Sequence, residues 1–184
     1  SMKAALRVAL VVLTIAYPLV IYFGLQYFDL SYFAFFLVSL AVLRFFSPSD
    51  QFGPAWFWTV LLLAVAGMVW YTQQVVGLRI YPLLVNLSML FIFAHSFFYP
   101  PTVIERLAKI SEPGLPAEGV IYTRRVTLVW IGFFIFNGTA SLVTAFWASM
   151  EVWTLYNGLI SYLLMGSLLG GERLIRDRVR GKHA

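Results

Sequence analysis

The chain has 184 residues, of which 61% are hydrophobic and only 11% are charged, with a formal net charge of +5. Soluble domains are about one quarter charged, so this composition excludes an ordinary water-soluble fold and indicates one membrane-embedded helical bundle. The absence of cysteine excludes disulfides and thiolate chemistry. We attribute the positive charge to loops beside a membrane and expect no nucleic-acid partner.

The apolar runs predict an all-α integral membrane protein with six transmembrane helices. A helix needs about 20 apolar residues to cross a hydrocarbon core about 30 Å thick. The predicted spans cover residues 6–27, 31–46, 56–76, 80–99, 126–148 and 152–169. Because the outer connections are short, we expect three antiparallel hairpins within a single membrane domain of residues 1–184.

The lysine and arginine residues predict how these spans are oriented. All but one of the 13 fall on one side of the membrane, and the exception is Arg79. Cytoplasmic loops are enriched in Lys and Arg, so we expect both termini in the cytoplasm of a bacterium and a multi-pass protein in its inner membrane. A basic cytoplasmic face would then comprise Arg44, Arg106, Arg124, Arg125 and the basic tail of residues 172–184.

The connection between the fourth and fifth spans predicts a short interfacial helix over residues 102–112. The preceding prolines end the fourth span, because proline cannot continue a helix. Thr102 is a suitable N-cap, and Glu105 would complete a capping box with it. The apolar residues of the segment fall mostly on one face, with Glu105 and the other charged residues opposite, which is typical of a helix lying on the inner leaflet.

Polar side chains within the spans are the candidate functional residues, because such groups are costly inside a membrane. The candidate ligand- or lipid-binding residues are Asn86, His95, Asn137, Asn157 and Tyr162. Asn137 and Asn157 are each followed by glycine, which permits close approach of a neighbouring backbone or a ligand. Two interpretations remain open: a polar pocket between spans four, five and six, or hydrogen bonds between helices that hold the bundle together.

The sequence predicts no catalytic residues, no cofactor and no metal site. It contains no zinc-binding, nucleophile-elbow or phosphate-loop motif, and the spans hold no paired carboxylates. His95 has no companion ligand for a metal. An enzyme is therefore not favoured. Gly166 and Gly170 form a small-x-x-x-small pattern that could serve helix packing or a homodimer.

The second half of the chain resembles two related families of bacterial inner-membrane proteins. The stretches that carry the resemblance are residues 101–110, 110–116, 122–130, 133–138, 145–147 and 153–162. One family is the septation protein A (YciB) family. The other, which is closer, comprises small membrane proteins often encoded beside aryl-polyene or xanthomonadin-type gene clusters. The resemblance implies a role in the cell envelope and supplies no established catalytic residues.

These observations together predict a non-enzymatic inner-membrane accessory protein that supports the synthesis or handling of envelope lipids or aryl-polyene-type products. Its groove near Asn86, Asn137 and Asn157 would contact lipid, and its basic face would recruit an acidic cytosolic partner such as an acyl carrier protein. Two alternatives remain. One is a small lipid or solute translocator, and the other is a membrane enzyme that uses His95 as a base on a lipid-phosphate substrate.

Overall fold

The computed structural model is entirely helical over the part of the chain that it describes. Its backbone is described for residues 2–46 and 54–181, and its side chains for residues 12–173 except 14, 47–53, 55 and 72. The helices are α1 (Met2–Gly24), α2 (Leu30–Phe45), α3 (Ala55–Thr72), α4 (Val75–Arg79), α5 (Tyr81–Phe98), α6 (Val103–Ser111), α7 (Ala117–Trp147), α8 (Met150–Leu155) and α9 (Ser161–Gly181). A π-helical turn, Tyr156–Ile160, joins α8 to α9. The side chains of Lys3 and Arg7, and those of the basic tail beyond residue 173, lie outside the described residues.

Within the described residues, three helical segments are long and apolar enough to cross a membrane: Val75–Phe98, Ala117–Trp147 and Met150–Arg173. The other apolar segments, Ile15–Gly24, Leu30–Phe45 and Trp56–Tyr71, are shorter. The 16 residues of α2 extend about 24 Å at 1.5 Å per residue, which is less than a hydrocarbon core of about 30 Å. The predicted all-helical class is therefore confirmed for the described residues, while six spans and the cytoplasmic placement of the termini stay predictions.

The packing of the helices differs from the three predicted hairpins. The most extensive contacts join α2 to α3 and α5 to α7, and α1 contacts α2, α8 and the π-helical turn. The main packed pairs are therefore not the predicted ones, and the three-hairpin topology stays a prediction. Its basis was short loops alone, but α3 ends at Gln73 in a left-handed conformation with φ 50°, and α4 follows before α5 begins. A left-handed turn thus separates α3 from the helical segment Val75–Phe98, whose longer part, α5, packs along α7 instead of α3.

Helix α6 forms where the sequence predicts the interfacial helix, with a different distribution of charged side chains. Thr102 Oγ1 accepts a hydrogen bond from the backbone N–H of Glu105 at 3.2 Å, as a cap should. The other half of the expected capping box is absent, because the Glu105 carboxylate accepts a 2.7 Å bond from Lys109 Nζ. Glu105 is buried, whereas Ile110 is 65% exposed. The expected separation of faces was therefore wrong at these two residues, since α6 packs against α5 and α7 and the lysine satisfies the buried carboxylate.

Helix α7 is the central element and presents one buried stripe along its length. It begins at Ala117, well before the predicted start of the fifth span. The buried residues recur at alternating spacings of four and three, the pattern of a helix face that packs on a neighbour. The stripe consists of Thr123, Thr127, Trp130, Phe134, Asn137, Ser141 and Thr144, and the buried Val126, Gly138 and Ala145 flank it. The stripe is thus aromatic at its middle and polar towards its C-terminal end.

Candidate functional site: a buried asparagine network and a cleft beside α6

The first polar cluster joins α5, α7 and the π-helical turn. Asn137 Nδ2 donates a 2.8 Å hydrogen bond to Asn86 Oδ1, and the Tyr156 hydroxyl donates a 2.9 Å bond to Asn137 Oδ1. Asn86 Nδ2 donates to the carbonyl of Pro82 at 2.8 Å, one turn earlier in α5. Both asparagines are buried. Their amides therefore bond to protein groups, as buried polar groups require.

The second cluster is centred on Asn157, in the π-helical turn. Its Oδ1 accepts from Ser141 Oγ at 2.8 Å, and its Nδ2 donates to Thr144 Oγ1 at 3.1 Å and to the Trp153 carbonyl at 3.0 Å. Ser141 lies one turn beyond Asn137 on α7, so the two clusters are neighbours along the same stripe. Together they form a continuous row of buried polar side chains on one face of α7.

Local backbone features bring these helices close together. A Cβ atom on Gly138 would lie 3.5 Å from Asn86 Cβ, and one on Gly158 would lie 3.5 Å from Pro18 Cβ in α1. Each Asn-Gly pair thus marks a place where another helix lies at contact distance. The π-helical turn contains Tyr156 and Asn157, and both side chains hydrogen-bond to α7. π-Helical turns of this kind are frequent at functional sites.

The row of polar side chains on α7 meets a different kind of group at each of its two ends. Towards the N-terminus of α7 it meets an aromatic cluster, in which Phe93 of α5 lies 6.1 Å from Trp130 and 5.1 Å from Phe134, measured between ring centroids. Towards the C-terminus, the Arg79 guanidinium donates to the carbonyls of Thr144 and Ala148. The row is therefore closed by packed rings at one end and by an arginine at the other.

Arg79 is the exception among the basic residues, because it lies on the predicted outer side. The structure explains its position there. The carbonyls it binds belong to the last turn of α7 and to the residue that caps it, where a helix lacks partners and carries partial negative charge. Trp153 Nε1 donates to the Arg79 carbonyl at 3.1 Å, which ties α4 to α8 as well. The guanidinium therefore holds the end of α7.

The structure brings together three of the five predicted ligand-binding residues and leaves two apart. Among the hydrogen bonds of Asn86, Asn137 and Asn157, none involves His95 or Tyr162. His95 is exposed on α5, its ring stacked on that of Tyr99 at 4.8 Å. Tyr162 is half-buried in α9. Across the described part of the chain, no three His, Asp or Glu side chains gather as a metal site.

Several residues that complete the network are not among the predicted binding residues. They are Arg79, Tyr156, and Ser141 and Thr144, which the sequence marks only as polar residues of the fifth span. Helical spacing could have identified two of them, because Asn137, Ser141 and Thr144 lie four and three residues apart and share one face. No sequence signal marks Tyr156, since its hydroxyl reaches Asn137 only through the π-helical turn.

A separate cleft lies between α6, the N-terminal part of α7 and α9. Its volume is about 530 Å³. Apolar side chains form its floor, including Leu107 of α6 with Val126 and Trp130 of α7. Glu118 and Glu172 lie at its rim. The cleft was not predicted, because its walls come from three helices that are distant in sequence.

Three of the predicted basic residues lie at the same end of the molecule as this cleft. Arg106 belongs to α6, which forms one wall. Arg124 and Arg125 are exposed on the first turns of α7, and the Arg124 guanidinium carbon lies 4.4 Å from the centroid of the Phe97 ring, within cation–π range. Arg44 lies in the last turn of α2, within the α2–α3 pair. The structure thus places Arg106, Arg124 and Arg125 on two of the helices that form the cleft, outside its lining.

Comparison with known proteins gives one partial similarity. No protein-family model and no solved structure matches the chain. A stretch of 91 residues is 31% identical to the curated inner membrane-spanning protein YciB of Erwinia tasmaniensis, and it covers 48% of this chain and 48% of the relative. The match thus spans about half the length of that protein. Half of this chain is therefore similar to YciB, as the resemblance implies, while the association with aryl-polyene gene clusters stays a prediction.

Proposed function

We propose that this chain is a multi-pass inner-membrane accessory protein that supports the synthesis or handling of an envelope lipid or aryl-polyene-type product without catalysing a reaction itself. The similarity to a relative named as inner membrane-spanning supports the location. So do the long apolar helices and their exposed large hydrophobic side chains, such as Phe91, Ile135 and Leu163. Such side chains suit contact with lipid chains.

The observation that carries the proposal is the apolar cleft beside exposed arginines at one end of the bundle. An apolar cleft can hold the chain of a lipid or polyene product. Arg124 and Arg125 offer positive charge next to it, which attracts an acidic protein and accelerates its association. In the proposed orientation this end faces the cytoplasm, where acidic acyl carrier proteins deliver acyl chains.

We assign the asparagine network to the scaffold and the cleft to handling of the product. A headgroup bound at Asn86, Asn137 and Asn157 would have to replace the hydrogen bonds that these side chains already make. Breaking them leaves buried groups unsatisfied unless the headgroup forms the same bonds again. The cleft requires no such exchange.

The test is capture of an acyl carrier protein by the detergent-extracted protein at low salt. We expect Arg124→Gln/Arg125→Gln to reduce capture about two- to tenfold, because each exposed ion pair contributes up to about 1 kcal/mol. The loss should diminish at high salt, where exposed charges are screened.

The matched control compares Arg125→Gln with Gln26→Glu. Both lower the net charge by one, and Gln26 is exposed beyond the C-terminus of α1, on the predicted outer side. Arg125→Gln should reduce capture and Gln26→Glu should not. Equal capture by the wild type and the double variant, or equal loss in both single variants, would rule out docking at this face.

A further inference from the structure

We propose that the cleft between α6, α7 and α9 selects a phospholipid whose head carries a primary ammonium over one whose head is purely anionic. This inference rests on the proposed handling of envelope lipids and names the chemistry of the head. It opposes the simplest expectation from net charge, since a protein of charge +5 should prefer anionic lipids.

The shape of the cleft suits one amphiphile with its chain directed inward. The floor is buried, with Trp130 6% and Val126 9% exposed. The rim is open, because Glu118 is exposed and Leu169 is 53% exposed. The volume of about 530 Å³ lies within the range of sites that hold small molecules. The apolar floor would hold an acyl chain, and the polar rim would hold the lipid head group.

The charged side chains that line the cleft determine which lipid head group would bind there. Among the described residues that line the cleft, the charged side chains are Glu112, Glu118 and Glu172, and none is a lysine, arginine or histidine. A primary ammonium beside these carboxylates is attracted and can donate charge-assisted hydrogen bonds. A purely anionic head in the same position is repelled.

Two contacts fix the walls that carry these carboxylates. The Tyr122 hydroxyl donates to the backbone carbonyl of Glu172 at 3.3 Å and to its Oε1 at 3.5 Å, which joins the start of α7 to α9. Leu115, in the turn after α6, lies directly on Gly119 of α7. A Cβ there would come within 2.8 Å of Leu115 Cδ1. The glycine therefore lets the turn close tightly beside Glu118.

The test uses nanodiscs that contain equal amounts of dioleoyl phosphatidylethanolamine and dioleoyl phosphatidylglycerol, with native mass spectrometry of the released protein. We expect one retained phosphatidylethanolamine, favoured about fivefold, the size of an exposed ion-pair contribution. Glu112→Gln/Glu118→Gln/Glu172→Gln should abolish the preference. The control Glu151→Gln removes an exposed carboxylate from α8, on the predicted outer side, and should retain it.

A second variant guards against misfolding of the triple variant. Ala108→Trp fills the cleft from α6 without removing a carboxylate. It should abolish the preference for phosphatidylethanolamine while capture of acyl carrier protein persists, which shows that the variant is folded. Preference for phosphatidylglycerol, equal retention of both lipids by the wild type, or an unchanged preference in the triple variant would overturn the inference. A dimer without lipid would assign the cleft to a second copy and overturn it as well.

The same samples separate this inference from the proposed function. Capture of acyl carrier protein through Arg124 and Arg125 is measured in parallel. If lipid binds without head preference and capture persists, only the inference about the head fails. If the wild type retains neither lipid and captures no acyl carrier protein, the proposed function fails too.

Discussion

Replacing Asn137 with leucine should destabilise the bundle measurably, because leucine keeps the branched four-atom skeleton of the side chain and removes its polar atoms. The residue is 2% exposed, and its amide joins two other elements. Leucine removes the donor to Asn86 Oδ1 at 2.8 Å and the acceptor of the Tyr156 hydroxyl at 2.9 Å. Two polar groups then lose a partner: the buried Asn86 amide on α5 and the half-buried Tyr156 hydroxyl in the π-helical turn.

The expected loss in the free energy of unfolding is about 1–3 kcal/mol. Hydrogen bonds between membrane helices contribute about 0.6 kcal/mol on average and up to about 1.7 kcal/mol. Two such bonds are lost. The estimate includes no cavity term, because leucine has as many side-chain heavy atoms as asparagine and is not smaller. The double variant Asn86→Leu/Asn137→Leu should lose less than the sum of the single variants, since it leaves fewer groups unsatisfied.

The assay is equilibrium unfolding by sodium dodecyl sulfate in mixed micelles, followed by helical circular dichroism. The control is Thr139→Val, two residues along the same helix, where the exposed hydroxyl bonds only to the Ile135 carbonyl of its own helix at 2.8 Å. It should change the free energy by no more than about 0.5 kcal/mol. If Asn137→Leu is as stable as Thr139→Val, the network does not hold α5 and α7 together.

Two further predictions concern the ends of the bundle. Arg79→Gln should lower the free energy of unfolding by about 1–2 kcal/mol in the same titration, because the C-terminal carbonyls of α7 lose a charged donor; an unchanged value would mean that these bonds contribute no stability. Because the chain has no cysteine, single Lys3→Cys, Lys182→Cys and Gln73→Cys variants can report topology by labelling in spheroplasts. An impermeant thiol reagent should label only Gln73→Cys from outside, and labelling of either terminal variant would refute cytoplasmic termini.

The sequence by itself determined the helical class and the polar residues to examine. A bilayer satisfies no backbone hydrogen bonds, so long apolar segments must form helices regardless of their neighbours. The cost of polar groups in lipid singled out Asn86, Asn137 and Asn157, which the structure joins in neighbouring hydrogen-bonded clusters. Thr102 was also predictable as a cap, because its bond to the Glu105 N–H is local.

The tertiary structure decided which surfaces meet. Asn86 meets Asn137 because packing sets the rotation of each helix about its axis, which short loops do not specify. His95 lies apart from the network because it follows Asn86 by nine residues on α5 and therefore falls on the opposite face of that helix. The same packing brings Arg79 to the end of α7, 65 residues away in sequence. The cleft depends on three helices that come together only in the folded chain, so its carboxylates could not be recognised as a group from a sequence whose net charge is positive.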